Sequence, residues 1–305
     1  MAYFQFLIIL LLSPLLNGFI KKLKAMMQGR VGPVLLQPYY DLIRLFSKEM
    51  VLSRVTSWIF KAAPFIVFAS TLVASMMVPV ITTDSSFGMM GDVIAFIYIL
   101  AAGRFFMALA GLDAGTAFGG EGSSREMTVA ILVEPMMMLC LFTAAISAGS
   151  TNIARIAETQ RLLYSPSHIL ALSAFIVAII AETGRIPVDN PDTHLELTMI
   201  HEGMILEYSG PHLALMEWAH YMKQMLLFTL TMDIFFPLGI ATDTGLFSLA
   251  FSLVIFILKM LLMGFLMAWV ESSRAKIRFF QLPSLLEGAF VLAFLSLLTY
   301  IMMGK

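Results

Sequence analysis

The stretch AETGRIPVDNPDTHLELTMIHEGMILEYSGPHLALMEWAHY, residues 181–221, is a long acid-rich connection between two strongly apolar segments. Its carboxylates are Glu182, Asp189, Asp192, Glu196, Glu202, Glu207 and Glu217. Against them stand Arg185 and the imidazoles of His194, His201, His212 and His220. Such a cluster beside oily sequence is either a solvated loop or a protonatable surface facing a partner. The surrounding chain decides between them.

Of 305 residues, 59% are hydrophobic and 13% charged, and the mean hydropathy is +0.89. A soluble chain carries about a quarter charged residues, so this is an integral membrane protein. The net charge of −1 says nothing about nucleic acid, and no basic, aromatic-interleaved patch points to it, so no nucleic-acid partner is expected. The lone Cys140 lies in an apolar run and can build no internal disulfide, iron–sulfur or zinc site by itself. Any redox cofactor therefore belongs to another chain. The spacing of His194, Glu196, His201 and Glu202 matches no metal-ligand pattern such as HExxH, and no nucleophile–base constellation is visible. No metal ligands and no catalytic residues are expected in this chain alone.

About 20 helical residues cross a hydrocarbon core of about 30 Å. Eight segments qualify: 2–20, 58–80, 92–112, 127–149, 167–186, 218–240, 246–270 and 285–303. They predict an all-α, polytopic membrane bundle forming a single domain over 1–305. The first run lacks a basic flank and a small-residue cleavage site, so it reads as a retained span. Lys21, Lys22, Lys24, Arg30, Arg44, Lys48 and Arg54 crowd the first connection, and Arg274, Lys276 and Arg278 the seventh. The positive-inside rule then places odd-numbered connections in the cytoplasm and both termini outside. The acid-rich stretch is the fifth connection and faces the cytoplasm.

Between Val34 and Val51 apolar residues recur at helical spacing, with Asp41, Arg44, Lys48 and Glu49 between them. This pattern predicts an amphipathic helix in the membrane interface, after the turn sequence GRVGP. The third connection, GLDAGTAFGGEGSSRE at 111–126, follows no strand and lacks a Lys-Ser/Thr pair, so it is not a phosphate loop. Ser123 or Ser124 is expected to cap the helix after it.

Ionisable groups inside spans cost roughly 2.5–3.5 kcal/mol each at a helix centre and stay where they face an interior, a wet cavity or each other. Here they are Arg104, Glu134, Glu182, Lys223, Asp233 and Lys259, with Asp92 and Asp113 bracketing the third span. Acids and bases alternate as a polar axis would require. Arg104 is expected to pair with an acid. Glu182 and Arg185, three residues apart, suit a helix-end ion pair.

AETGRIPVDNP, LELTMIHE and EYSG together resemble the cytoplasmic loop of the quinone-site membrane subunit of complex I, whose pattern is close to AE-x-x-R-x-PFD-x-PEAE-x-EL…EYSG. QGRVGPVLLQPYYDLIRLFSKE is similar to that family's amphipathic helix. GLDAGTAFGGEGSSREMTVAILVEP resembles more closely the branch found in membrane-bound, energy-converting nickel–iron hydrogenases such as formate hydrogenlyase and hydrogenase-4. The three motifs fall in the family's order and the similarity covers nearly the whole chain.

The resemblance implies that Arg30, Gly32, Pro33, Gln37, Pro38 and Asp41 shape the amphipathic helix. Arg125, Arg185, Asp192 and His194 would serve the interface with a partner. Glu182, Asp189, Glu196 and Glu207 would line the junction with a hydrophilic redox arm, and Glu134 would begin a lateral proton path. Glu202, Asp233, Lys259, Arg104 and Asp113 join these as proton-relay candidates. Complex I has PEAE where this chain has PDTH, and three extra residues lie between Glu196 and Tyr208. Those departures argue against a quinone headgroup site.

The implied partners are hydrogenase large and small subunits, a ferredoxin-like iron–sulfur subunit and antiporter-like membrane subunits. Iron–sulfur clusters and the nickel–iron centre would lie on those partners, in the cytoplasmic membrane of a prokaryote. A quinone-reducing complex I subunit, a free-standing transporter and a pure scaffold are the competing readings. The transporter reading lacks the internal repeats expected of it.

Overall fold

A computed structural model of the chain describes residues 5–53, 55–83, 91–159, 165–189, 199–241 and 245–303. Among those residues the regular structure is helical, and the only β-type pairings are isolated bridges between Thr82 and Ala241 and between Asp92 and Asn152. The helices are α1 (Gln5–Met27), α2 (Gln37–Phe46), α3 (Trp58–Met77), α4 (Val93–Asp113), α5 (Ala117–Ala148) and α6 (Ile153–Thr159). After them come α7 (Pro166–Glu182), α8 (His201–Ile205), α9 (Gly210–Phe235), α10 (Leu246–Ser273) and α11 (Leu282–Met303).

Among the described residues six helices are long and apolar enough to cross a membrane: α1, α3, α4, α5, α10 and α11. The expectation of eight spans also included α7, which has 17 residues, and α9, which has 26 but carries Glu217, Lys223 and Asp233. Both are packed within the bundle. α9 touches α1, α2, α3, α7 and α10, and from Gln224 to Phe235 every residue is buried. A helix enclosed by others can carry charges that a lipid-facing helix cannot, because its neighbours supply the counter-charges.

Most of the glycine-rich stretch read as a connection, residues 117–126, is instead the first part of α5, which runs unbroken for 32 residues through Pro135. Glycine inside a helix costs about 1 kcal/mol relative to alanine, so close packing must offset it. A Cβ on Gly119 would lie 2.4 Å from the Gly111 carbonyl oxygen, and one on Gly122 would lie 2.9 Å from that of Ile200. The glycines let α4 and α8 approach α5 backbone to backbone. The cap is Thr116, whose Oγ1 accepts from Gly119 N–H at 3.2 Å, and not Ser123 or Ser124. Ser123 Oγ reaches the carbonyls of Gly119 at 2.8 Å and Ala108 at 2.9 Å.

The amphipathic helix forms as α2, shorter than the apolar pattern that predicts it. Leu42 packs with Ala214 and Tyr221 of α9, while Leu36, Tyr40 and Ile43 stay exposed on the other side. Those spacings of four and three residues make an apolar stripe facing away from the bundle, as an interfacial helix requires. The EYSG sequence fastens the chain after α2 to the start of α9. Tyr208 stacks on Phe60 with ring centres 4.0 Å apart and donates to its carbonyl at 2.8 Å. Ser209 Oγ bonds both N–H and C=O of Val51, at 2.9 and 3.1 Å. Gly210 has φ +55°, and a Cβ there would sit 2.8 Å from the Glu49 carbonyl oxygen, so only glycine fits.

Candidate functional site

α4, α5, α7 and α9 bring five charged side chains to one point in the bundle. Arg104 Nη1 donates to Glu134 at 2.9 Å, Nη2 to Glu182, and Nε lies 3.6 Å from Glu126. Lys223 Nζ binds the same Glu182 oxygen from α9 at 2.6 Å. Glu126 and Glu134 are eight residues apart on α5, about two helical turns, and so share a face. Glu182 ends α7. Arg104 is the hub: always charged, with a planar fork that reaches several carboxylates at once.

Three carboxylates thus meet two cations. Arg104 and Glu182 have side chains only 4% and 3% exposed, whereas Glu134 is 34% exposed on the flank of α5. One turn before Glu134 on α5, Ile131 is a bare apolar side chain. The cluster therefore runs from the closed centre of the bundle, beside the acid-rich connection, to an open carboxylate on an oily flank. A surplus acid can take or release a proton without leaving either cation unpaired.

A second buried network surrounds Arg185. The expected pair between Glu182 and Arg185 does not form, because each faces a different neighbour. Arg185 donates to Gln224 at 2.7 Å, to Asn17 at 2.9 Å and to Glu271 at 3.3 Å. Lys24 reaches the other Glu271 oxygen at 3.1 Å. Arg185 is buried inside the bundle and is not at a surface open to a partner. Glu126, Glu271 and Lys24 were not among the sequence candidates.

Asp189 is buried where the chain enters the acid-rich connection. It accepts from Lys276 Nζ at 2.7 Å and from the N–H groups of Ile200 and His201 at 3.2 and 3.3 Å. This ties the seventh connection to the fifth at the start of α8. Arg125 also works inside the fold: it donates to Met199 O at 3.0 Å and Glu121 at 2.7 Å, and lies 5.7 Å over the Phe279 ring. Glu202 is half-buried on α8 and Glu207 is exposed just after it.

Asp233 and Lys259 form a separate pair between α9 and α10, at 4.0 Å. Asp113 is held elsewhere again. It accepts from Ser57 N–H at 2.8 Å, Ser57 Oγ at 2.9 Å and Phe60 N–H at 3.3 Å, which caps α3. In the first connection Gln37 donates to Asp41 at 2.9 Å, Pro38 is buried, Arg30 and Pro33 lie toward the surface, and Gly32 turns the chain at φ +71°. Asp192, His194 and Glu196 lie outside the described residues. Among the described residues no group of three or more His, Cys, Asp or Glu side chains is placed to hold a metal ion.

On the loop side of the hub lies His201. Burial, and then the charge of Lys223, hold its pKa down at about 4. Burial, and then the charge of Asp113, push the Tyr208 phenol up, so it stays a donor to Phe60.

A polytopic helix bundle with a buried acid–base chain, and motifs clasping its two longest loops, belongs to a known class. The chain is a member of the NADH dehydrogenase family, whose model matches residues 1–303. Within that family it is 39% identical to hydrogenase-4 component C of Escherichia coli (strain K12), over 97% of this chain and 93% of that protein. It is 35% identical to formate hydrogenlyase subunit 4 of the same organism, over 96% and 95%. A subunit of the NADH-quinone oxidoreductase of Rhodospirillum rubrum is 28% identical, over 87% and 81%. A solved chain from the membrane-bound sulfane sulfur reductase, an archaeal respiratory membrane complex, has the same fold, with a TM-score of 0.83 at 18% identity and 96% of each chain covered. The family read from the three motifs is thus the one found, and the relatives are subunits of multi-subunit membrane complexes.

Proposed function

We propose that the chain, acting as one integral membrane domain over residues 1–305, anchors a cytoplasmic hydrogenase-type redox module and couples its turnover to ion movement across the membrane. The partners are the large and small hydrogenase subunits, a ferredoxin-like iron–sulfur subunit and antiporter-like membrane subunits. Iron–sulfur and nickel–iron centres reside on the first three. The odd-numbered connections face the cytoplasm of a prokaryote and both termini face outward, in accord with the basic residues of the first and seventh connections.

The observation that carries this reading is the Arg104 hub, which joins Glu182, beside the acid-rich connection, to Glu134 on the flank. Charge changes in the redox module alter the field at Glu182. Because Arg104 and Lys223 are shared, the proton affinity of Glu134 follows. A carboxylate set in an apolar flank is costly against lipid, so a neighbouring membrane subunit covers it and receives the proton. Hydrogenase-4 component C and formate hydrogenlyase subunit 4 share more identity with the chain than the quinone-enzyme relative does, which favours a hydrogenase module over a quinone site.

The test is Glu134→Gln in the assembled complex, reconstituted in sealed vesicles. The amide keeps the hydrogen bond to Arg104 but cannot titrate. The complex is expected to assemble and turn over hydrogen while driven ion movement is lost. Normal ion movement in this variant sinks the coupling role.

A further inference from the structure

A small cavity with a mainly apolar wall and one polar side lies between α3, α4, α8 and α9, directly beside the Arg104 hub. Ser70, Thr71, Arg104, His201, His220 and Lys223 supply its polar wall. Its volume is about 30 Å³, room for about two water molecules. The rings of His201 and His220 face each other with centres 4.7 Å apart. Nδ1 of His220 is buried without a hydrogen-bond partner among the protein groups. A buried ring nitrogen is normally bonded, to protein or to ordered water. Two imidazoles, one with a nitrogen seeking a partner, therefore sit over a water-sized space whose far wall is the ion cluster.

We propose that His201 and His220, with the water that this cavity admits, form the proton-transfer step between the acid-rich connection and the Arg104–Glu182 cluster. The inference rests on the coupling role proposed above and specifies where protons enter it. A proton arriving from the connection forms an N–H bond at the free nitrogen of neutral His201. Loss of the proton to cavity water, or to His220, restores the neutral ring. The proton ends as O–H on a carboxylate of the cluster, and no electrons move.

Lys223 is the control. Its ammonium lies 2.6 Å from Glu182 and also acts on His201. Glu217 from α9, Asp189 from the connection and Glu182 from α7 act on the same ring with the opposite sign. Arg185, Lys21 and Lys223 face His220. Burial first, and then the charge of Lys223, favour the neutral form of His201. Loss of the Lys223 charge, or its movement away from the ring, raises the proton affinity of His201 and favours the step.

The experiment uses the assembled complex in sealed vesicles and measures redox-driven proton movement per turnover. The variants are His201→Ala, His201→Gln, His220→Gln and, for comparison, Glu134→Gln. Positioned acid–base groups contribute about 100-fold or more to proton transfer, so His201→Ala is expected to lose at least about tenfold of proton movement while hydrogen turnover persists. Added imidazole should restore it, and the weakly basic isostere pyrazole should not. Wild-type proton movement in both His201→Gln and His220→Gln overturns the inference. So does a loss that imidazole fails to relieve, or failure of all the histidine variants to assemble, since either marks a packing role. If Glu134→Gln abolishes proton movement while the histidine variants keep it, only this step is wrong. If Glu134→Gln also keeps it, the coupling role itself has failed.

Discussion

Two buried arginines lie in the same bundle and do different work. Arg104 meets Glu126, Glu134 and Glu182, with Lys223 as the second cation. Arg185 meets Glu271, with Lys24 as the second cation, and completes its shell with the amide oxygens of Asn17 and Gln224. The first network has a carboxylate to spare. In the second, Arg185 and Lys24 share the carboxylate of Glu271, and the amides accept hydrogen bonds without titrating. Protonating one acid beside Arg104 leaves two carboxylates for two cations, whereas protonating Glu271 removes the carboxylate that Arg185 and Lys24 share. One network is built to exchange a proton and the other to hold α1, α7, α9 and α10 together.

Removing each hub gives the largest expected effect and tests that contrast directly. Arg104→Ala leaves three carboxylates facing each other with one lysine. Removing one partner of a buried ion pair costs about 3–5 kcal/mol, so the complex should lose most of its assembled yield. Adding Glu182→Gln to Arg104→Ala should recover part of that yield, measured by native gel and thermal midpoint. If the single variant assembles at the wild-type level, the cluster is not a tightly charged centre.

Next in size is Glu271→Gln. The amide keeps the shape but removes the counter-charge of Arg185 and Lys24. A hydrogen bond to a charged group is worth about 1.5–3 kcal/mol, which sets the expected loss of stability. Ion movement per assembled complex should stay unchanged, in contrast to Glu134→Gln. Loss of coupling in Glu271→Gln without loss of stability would erase the division between the two networks.

Protonation offers a subtler version of the same contrast. His201 has its pKa lowered from 6.5 to about 4 in the folded chain, by burial and then by Lys223. Below pH 6.5 the unfolded chain takes a proton there that the folded chain refuses. Stability therefore falls as pH drops from 6.5 toward 4. One pH unit corresponds to about 1.4 kcal/mol, so at pH 5.5 the native state should be weaker by roughly that amount. The matching His201→Gln variant should show a flatter loss between pH 7.5 and 5.5. Parallel pH profiles of the two proteins would show that the ring is not held neutral.

The helical bundle and the costly charges were legible in the sequence, since long apolar runs and ionisable groups within them are local features. That Arg104 would seek an acid was legible for the same reason. Which acid was not, because Glu126 fell in a stretch that reads as a loop when its glycines are judged by helix propensity alone. Those glycines are helical because α4 and α8 press against them, a tertiary cause with no local signal. Glu271 and Lys24 sit at span ends, where a charge ordinarily reaches water and draws no notice. Only the packing of α1 against α10 buries them together. The separation of Glu182 from Arg185 follows from the chain turning at Thr183 and Gly184 after α7 ends, which sends the two side chains to opposite neighbours.

The smallest predicted effect falls on Asp113, where the same chemistry serves neither network. Its position at the edge of a span makes it resemble a relay acid. In the fold its carboxylate accepts three hydrogen bonds at the first turn of α3, from Ser57 N–H, Ser57 Oγ and Phe60 N–H. N-terminal N–H groups of a helix lack intrahelical partners, and a carboxylate there satisfies them and complements the helix dipole. Losing a cap of this kind typically costs about 1 kcal/mol. Asp113→Ala should therefore lower the thermal midpoint slightly, and Asp113→Asn, which keeps an acceptor, should lower it less. Neither should change ion movement per turnover, because no ion pair links Asp113 to the Arg104 hub among the described residues. A coupling defect in Asp113→Asn with an unchanged midpoint would extend the exchanging network to the end of α4 and end the assignment of Asp113 as a cap.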